Sequence, residues 1–448
     1  MNSEATGAVP GQDRKPVRRV ALSSLLGTTI EYYDFLLYGT MAAVVFGKLF
    51  FPSDNPAAGT IAAFGTLAAG YLARPLGGVL FGHFGDRVGR KAMLVITMTL
   101  MGVASAVIGV LPTYAMIGVL APVLLVTLRV LQGIAVGGEW GGAALMVVEH
   151  ADSGTRGRWT GIMQLGTPFG FLLSTTAVTV VTMLPDAALY SWGWRIPFLA
   201  SAGLLAIGLY VRLKVMESPV FTAAADQGER KLPIAEVLRQ PRHLLPAVAV
   251  GIGPFALTAL TSSHIITYAT GIGYALSSVM RSLLIIVAVS IVSIPLFAAL
   301  SDRLGRRRVM MAGAVATVPY AFPLYALVDT GSVLILTGAL MIAQFLQNAM
   351  YAPLTPLLSE MFPTRIRYTG VSVAYQSAAL LGAGCTPLIA SSLTAAFGQT
   401  SAPLSVIAAV AALVTLGALA VTAETRGRDL TAELGANDRD DERRVHAV

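Results

Sequence analysis

Apolar residues dominate this chain in long runs separated by charged or Pro/Gly breaks. A helix needs about 20 apolar residues to cross a bilayer. Twelve runs of that order occur, at roughly 20–47, 57–83, 92–111, 121–148, 159–184, 194–213, 243–269, 277–300, 309–328, 332–359, 368–395 and 402–423. They predict an all-α membrane protein with twelve transmembrane helices, here called spans one to twelve. One longer polar connection, KVMESPVFTAAADQGERKLPIAEVLRQPRH (214–243), divides them six and six. The expected organisation is an N-terminal tail (1–19), a six-helix bundle (20–213), a linker (214–242), a second six-helix bundle (243–423) and a C-terminal tail (424–448).

Charge supplies an independent check, because Lys and Arg collect in cytoplasmic loops. All but five of the 31 Lys and Arg fall in alternate connections if the N-terminus is cytoplasmic. The exceptions are Lys48, Arg195 and Arg281 near the outer rim, and Arg74 and Arg129 within helices. Both termini are therefore expected on the cytoplasmic side of the cell membrane. Topology accounts for the net charge of +7, which removes the main support for nucleic-acid binding. The composition agrees: 12% of residues are charged, against about 25% in soluble domains. The opening MNSEATGAVPGQDRKPVRR has no small-residue cleavage site behind a short apolar core, so the first helix is expected to be retained. The single cysteine, Cys385, can form no disulfide within the chain and no thiol cluster. No GK[ST] phosphate loop and no metal-spaced His/Cys/carboxylate group is present, so no cofactor is expected and ATP drive is unsupported. GIGPFA (251–256) fits a dinucleotide fingerprint by letter but follows no strand. A membrane enzyme would need a convergent nucleophile or metal set, and a receptor a large soluble domain; neither is visible.

The two halves repeat. GDRVGRK (85–91) between spans two and three matches SDRLGRR (301–307) between spans eight and nine, 216 residues on. Glu149 with RGRWTG (156–161) matches Glu360 with RIRYTG (365–370) at an offset of 209 to 211. Such symmetry is that of secondary transporters, with a substrate path between the halves at mid-membrane. Gly85 and Gly89 permit a tight turn, Asp86 can cap a helix or pair with Arg87 or Arg90, and the arginines can reach carboxylates on neighbouring helices. The expected cytoplasmic gate comprises Gly85, Asp86, Arg87, Gly89, Arg90 and Glu149, with Asp302, Arg303, Gly305, Arg306 and Glu360.

Within span one, TTIEYYDFLLYG (28–39) places Glu31, Asp34 and Tyr38 at i, i+3 and i+7, on one helical face. A carboxyl near the midplane favours its neutral form unless a cation or a wet cavity supports it, so it can load and release a proton. Asp34 is the expected coupling residue, with Glu31 in support. Arg74 and Arg129 each require an anion or a wet cavity. Arg129, Gln132, Val136 and Glu139 share a stripe of span four, and Gly133, Gly137, Gly138, Gly141 and Gly142 admit a neighbouring helix closely. These charges are expected to pair between spans one, two and four or to capture a substrate carboxylate. The second half offers mainly uncharged groups: His264, Gln344, Gln347, Asn348, Tyr351, Tyr375 and Gln376. The substrate-binding candidates are Arg74, Arg129, Glu139, Tyr38, Gln132, His264, Gln344, Asn348, Tyr375 and Gln376.

The GDRVGRK turn, its second copy and the RVLQG segment of span four resemble the major facilitator superfamily. More narrowly, IEYYDFLLYGT, ARPLGGVLFGHFGDRVGRK, RVLQGIAVGGEWGGA, WGWRIPF and MESPVF resemble the metabolite:proton symporter family, of the shikimate, α-ketoglutarate and proline/betaine type. The second half joins the resemblance at SDRLGRRRV, SEMFPTRIRYTG and GVSVAYQ, and departs from it at span seven, AVAVGIGPFALTALTSSHIITYAT. The resemblance implies a monomeric, proton-coupled symporter in the lipid bilayer that imports a small polar metabolite by alternating access. The substrate would be an organic acid, shikimate-like or a keto/dicarboxylic acid, or a zwitterion such as betaine or proline. The alternative is a proton-antiport exporter.

Overall fold

The computed structural model describes residues 15–52, 56–218, 220–222, 233–397 and 400–430. The outer parts of both expected tails and the middle of the expected linker lie outside the described residues. No strand occurs among them. The helices are α1 Lys15–Met41, α2 Pro56–Val88, α3 Arg90–Val110, α4 Leu120–His150, α5 Arg156–Thr182, α6 Asp186–Leu213, α7 Pro241–Gly271, α8 Leu276–Leu304, α9 Arg306–Val328, α10 Val333–Met361, α11 Thr364–Thr394 and α12 Ala402–Val421. Ten of them, α3 to α12, are long and apolar enough to cross a membrane; α1 and α2 complete the twelve.

Side-chain size decides which face each helix turns outward. Leu72, Leu76, Leu80, Phe84 and Val88 form an exposed apolar stripe at four-residue spacing along α2. Gly78, Gly82 and Gly85 lie on the other side, where a Cβ would run into α11.

Packing repeats between the halves. The pairs α2–α4, α3–α6, α1–α5 and α1–α6 have the counterparts α8–α10, α9–α12, α7–α11 and α7–α12. A π-helical turn follows α1 at Ala42–Phe46, and another lies within α7 at Ala259–His264, 217 residues on. Such turns are rare and concentrate at functional sites. The chain is thus two pseudo-symmetric six-helix bundles.

The hydrophobic cores show where the bundles meet. One buried cluster (Tyr33, Leu37, Phe46, Trp194, Phe198) belongs to the first bundle alone. Another (Tyr268, Leu283, Leu324, Leu340) belongs to the second. A third joins Phe81, Trp140 and Met163 to Phe255, Tyr351, Leu357 and Tyr375, and so spans both. It continues towards the end that carries the GDRVGRK and SDRLGRR segments.

Candidate functional site

At that end each bundle inserts a carboxylate into the other. Asp86, in the last turn of α2, accepts from the backbone N–H groups of Tyr368 (3.1 Å) and Thr369 (3.0 Å) and from Thr369 Oγ1 (2.8 Å). Asp302, in the last turn of α8, accepts from the N–H groups of Gly157 (2.9 Å) and Arg158 (2.7 Å). The acceptors are charged, the donors are unpaired amides of a helix's first turn, and the helix dipole adds to the attraction. Asp86 thus caps the α-helical part of α11, which begins at Arg367 after a 3-10 turn, and Asp302 caps α5, each helix belonging to the opposite bundle.

Arginines hold both carboxylates in place. Arg90 lies 3.6 Å from Asp86 and 3.5 Å from Glu149, and Arg367 lies 3.3 Å from Glu149. In the second copy Arg306 lies 2.5 Å from Asp302 and 3.5 Å from Glu360, and Arg156 lies 3.2 Å from Glu360. Arg156 therefore corresponds to Arg367, an offset of 211. The letter match of RGRWTG with RIRYTG, which aligns Arg156 with Arg365, runs two residues out of register. Arg365 is exposed and reaches Glu236 of a short linker helix at 2.5 Å. Of the expected gate residues, Arg87 and Arg303 are exposed, while Asp86, Arg90, Glu149, Asp302, Arg306 and Glu360 are buried together.

The glycines play parts that differ from the expected ones. Gly85 is helical and turns nothing; its missing side chain makes room for the Tyr368 ring, which a Cβ would overlap. The turn is Gly89 alone in the first copy and Gly305 alone in the second, with φ of 125° and 108°. A Cβ at Gly89 would also lie 2.5 Å from Glu217 Oε2, and one at Gly305 would strike Glu424.

Those two glutamates form a third repeat that sequence reasoning missed. Glu217 accepts from the N–H groups of Arg90 (3.2 Å) and Lys91 (3.1 Å), capping α3 where Gly89 has no side chain to do so. Glu424 accepts from Arg306 N–H at 2.9 Å and caps α9. The next residue repeats as well: Ser218 donates to Glu149, and Thr425 donates to Glu360 at 2.7 Å. A Glu-Ser and a Glu-Thr placed just after the sixth and twelfth helices were the available signal.

Deeper in the first bundle, the expected acids and arginines separate into two groups. Arg129, 4% exposed, lies over the rings of Tyr38 (4.3 Å) and Phe35 (5.1 Å), and its Nη1 donates to Gln132 Oε1 at 3.3 Å. Gln132 donates to Ser105 Oγ at 2.7 Å, and Ser105 lies next to the Asp34 carboxyl, whose Oδ2 is buried without a hydrogen-bond partner. Asp34, 2% exposed, also accepts from Ser201 Oγ at 2.5 Å. Tyr38 OH and Thr66 Oγ1 are 2.6 Å apart. Arg74 stacks over Phe35 (4.6 Å) and Tyr71 (4.5 Å). Among the described residues no carboxylate lies within 4.0 Å of Arg74 or Arg129. The expected pairing between spans one, two and four is therefore not what forms.

Glu139 instead pairs with Arg212, which donates to it at 2.5 Å, both side chains being at most 3% exposed. By position Arg212 falls with the Lys and Arg of the alternate connections, yet it belongs to the last turn of α6 and is buried. Glu31 is buried beside this pair, within electrostatic reach of Glu139, Arg212 and Arg74.

In the second bundle, Gln344 donates to Gln347 Oε1 (3.0 Å) and Asn348 Oδ1 (3.3 Å). Gln347 reaches Thr258 of α7 (2.8 Å), and Asn348 reaches Ser293 (2.8 Å) and Ser290 (3.2 Å) of α8. These amides tie three helices together. His264 is buried in the π-turn of α7, with Nε2 unpartnered. Tyr375 and Gln376 lie at the bundle interface: the Tyr375 ring stacks on Trp140 at 3.3 Å, and Gln376 Nε2 donates to the Val136 carbonyl of α4 at 3.3 Å. Trp140, not singled out from the sequence, is 2% exposed and joins the two bundles through this stack.

Comparison with known proteins matches this arrangement. Residues 20–240 fit the family described as Sugar (and other) transporter, and residues 282–438 fit the Major Facilitator Superfamily. The shikimate transporter of Escherichia coli (strain K12) is 42% identical over 387 residues, covering 85% of this chain and 88% of the relative. The proline/betaine transporter of Salmonella typhimurium is 35% identical over 396 residues, covering 84% and 78%. A proton:xylose symporter solved with 6-bromo-6-deoxy-D-glucose superimposes with a TM-score of 0.74 at 19% identity, covering 94% of this chain and 98% of that one. That last likeness concerns the fold.

Proposed function

The chain belongs to the major facilitator superfamily of transporters, and from that premise we propose that it is a proton-coupled symporter importing a small organic acid or zwitterion. The observation that carries this reading is Arg129. A guanidinium cannot discharge, and one buried in a membrane bundle without a carboxylate partner calls for an anion from outside the chain. Its planar face is already supported by Tyr38 and Phe35, so its donors can fork to a substrate carboxylate. Arg74 stacks on the other part of the same aromatic group and is the second anion contact.

Asp34 is the proton carrier. The relay Arg129–Gln132–Ser105–Asp34 links substrate charge to the acid: a carboxylate arriving at Arg129 neutralises the nearest cation, which favours a proton on Asp34. Tyr375 and Gln376 contribute hydrogen-bonding groups from the second bundle. The basic turns face the cytoplasm, where the Asp86 and Asp302 caps hold the bundles together; their release opens the path inward. The protein acts as a monomer in the cytoplasmic membrane, with both termini inside.

The test is uptake into proteoliposomes with an imposed proton gradient, using shikimate, keto and dicarboxylic acids, betaine and proline. Wild type accumulates one of these against its gradient. Asp34→Asn loses accumulation and retains part of the exchange activity; full accumulation by that variant would sink the assignment. Expulsion of the compound against an inward proton gradient would replace symport by antiport.

A further inference from the structure

Apart from Asp34 and the acids of the motif-bearing end, the first bundle buries two further acids, Glu31 and Glu139, and both lie near Arg212. Glu139 and Glu31 are 1% and 5% exposed, and a single buried guanidinium, Arg212, pairs with Glu139 through one oxygen. The second Glu139 oxygen, Oε2, is buried without a hydrogen-bond partner, as is Arg212 Nε. Gly27, one helical turn before Glu31, leaves the space that the pair occupies; a Cβ there would strike Arg212 and lie 3.0 Å from Glu139 Oε1. Arg212 is committed to Glu139, and Glu31, which forms no ion pair among the described residues, is reached by Arg74 and Arg212 only at longer range; two such carboxyls in a bilayer are unfavourable when both are ionised, so this group can hold a proton.

The pair also borders a small crevice. Lined by Val20, Ser24, Lys91, Leu94, Met146 and Arg212, it lies among α1, α3, α4 and α6 and has room for about one water. These residues come from the start of α1 and α3 and the last turns of α4 and α6, so the crevice belongs to the motif-bearing end. Lys91 is half-buried at that end, and Arg212 lines the crevice while holding Glu139. The Ser24 hydroxyl faces the Ala143 carbonyl at 3.5 Å, one helical turn along α4 from Glu139.

Resting on the proton-coupled reading above, we propose that Glu139, gated by its ion pair with Arg212 and assisted by Glu31, is a second proton-carrying residue. It releases the proton through this intrabundle crevice rather than along the substrate path between the bundles. A proton taken up from water onto a Glu139 oxygen breaks that oxygen's bond to Arg212. When it departs to water in the crevice, the Glu139–Arg212 pair re-forms. Tyr368 links this step to the conformational cycle: its hydroxyl donates to the Gly138 carbonyl at 2.9 Å, and the ring lies within electrostatic reach of Arg212, Arg90, Asp86 and Glu139. Release of the Asp86 cap withdraws Tyr368 from the pair. The charged and titratable groups that bear on Glu139 are thus Glu31 and Asp34 of α1, Arg212 of α6 and Tyr368 of α11, with Arg74 of α2 acting on Glu31.

The experiment compares gradient-driven accumulation with exchange in proteoliposomes holding the intact chain, using shikimate, betaine and proline as probes and pyranine to report proton entry. Glu139→Gln lowers the ratio of accumulation to exchange at least tenfold and abolishes the pyranine signal, and Glu139→Asp restores both. The double variant Glu139→Gln/Arg212→Gln leaves no uncompensated charge and shows the same loss of coupling. Wild-type coupling in Glu139→Gln, or equal losses of accumulation and exchange, overturns the inference. So does failure of both Gln variants to fold, since that would make the pair structural. Absence of proton-linked accumulation in wild type is a different failure: it removes the symport reading first and this inference with it.

Discussion

Replacing Asp86 by Asn keeps the side chain's size and removes the charge that joins the bundles. Asp86 accepts from two backbone amides and one hydroxyl of α11. An Asn presents one carbonyl oxygen, and its amide group opposes a backbone N–H, so at least one donor loses its acceptor and the rest lose charge assistance. Hydrogen bonds to charged groups contribute about 1.5–3 kcal/mol each. Arg90 keeps Glu149 at 3.5 Å and is not orphaned, so the net cost falls on the cap. A cost of about 2 kcal/mol to the locked state shifts its equilibrium with the unlocked state about thirtyfold. The shift can be read by pulsed electron-spin distance measurement between labels at Val88 and Leu304, exposed equivalents at the ends of α2 and α8, with Cys385 replaced by Ser. The ratio of long to short distances should rise about thirtyfold in Asp86→Asn. An unchanged distribution would refute the reasoning, because it would mean that the cross-bundle cap does not hold the locked state.

Other consequences are as direct. Gly89→Ala and Gly305→Ala force a Cβ onto left-handed backbone and against a capping glutamate. Each should cost about 1–3 kcal/mol in detergent unfolding, whereas Gly338→Ala, with open space around it, should cost nothing. Arg129→Lys loses the stack and the fork and should raise the KM for the transported substrate about tenfold or more; an unchanged KM would remove Arg129 from the proposed binding site. Ser218→Ala and Thr425→Ala each remove a hydrogen bond to a buried carboxylate. Each should lower stability by about 1–3 kcal/mol, and their effects should add, since they belong to separate networks.

Part of the site was legible in the sequence for a local reason. An acid or arginine inside a long apolar run is conspicuous because the membrane makes it costly, so Asp34, Arg74 and Arg129 stood out singly. Helical spacing placed Arg129 and Gln132 together correctly, since both lie on one helix. The same spacing suggested Glu139 as their companion, yet the rotation of α4 turns Glu139 towards α6 and Arg212. Arg212 looked like a loop residue because it stands at the end of an apolar run, where length alone cannot say which way a side chain points.

The number of helices, the two-bundle architecture and the paired basic segments follow from the chain alone, because bilayer thickness and repeat spacing are one-dimensional quantities. Tertiary structure decided what the repeats do. Asp86 reaches α11 across 282 residues of sequence, and Asp302 reaches α5 across 145; no pattern within either motif states that its target is the other half. The two-residue register of Arg156 against Arg367, the removal of a side chain at Gly85 for Tyr368, and the gathering of Glu31, Glu139 and Arg212 around Gly27 are likewise contacts between helix faces. They depend on how each helix is rotated and how closely it approaches its neighbour, and packing of the whole assembly sets both.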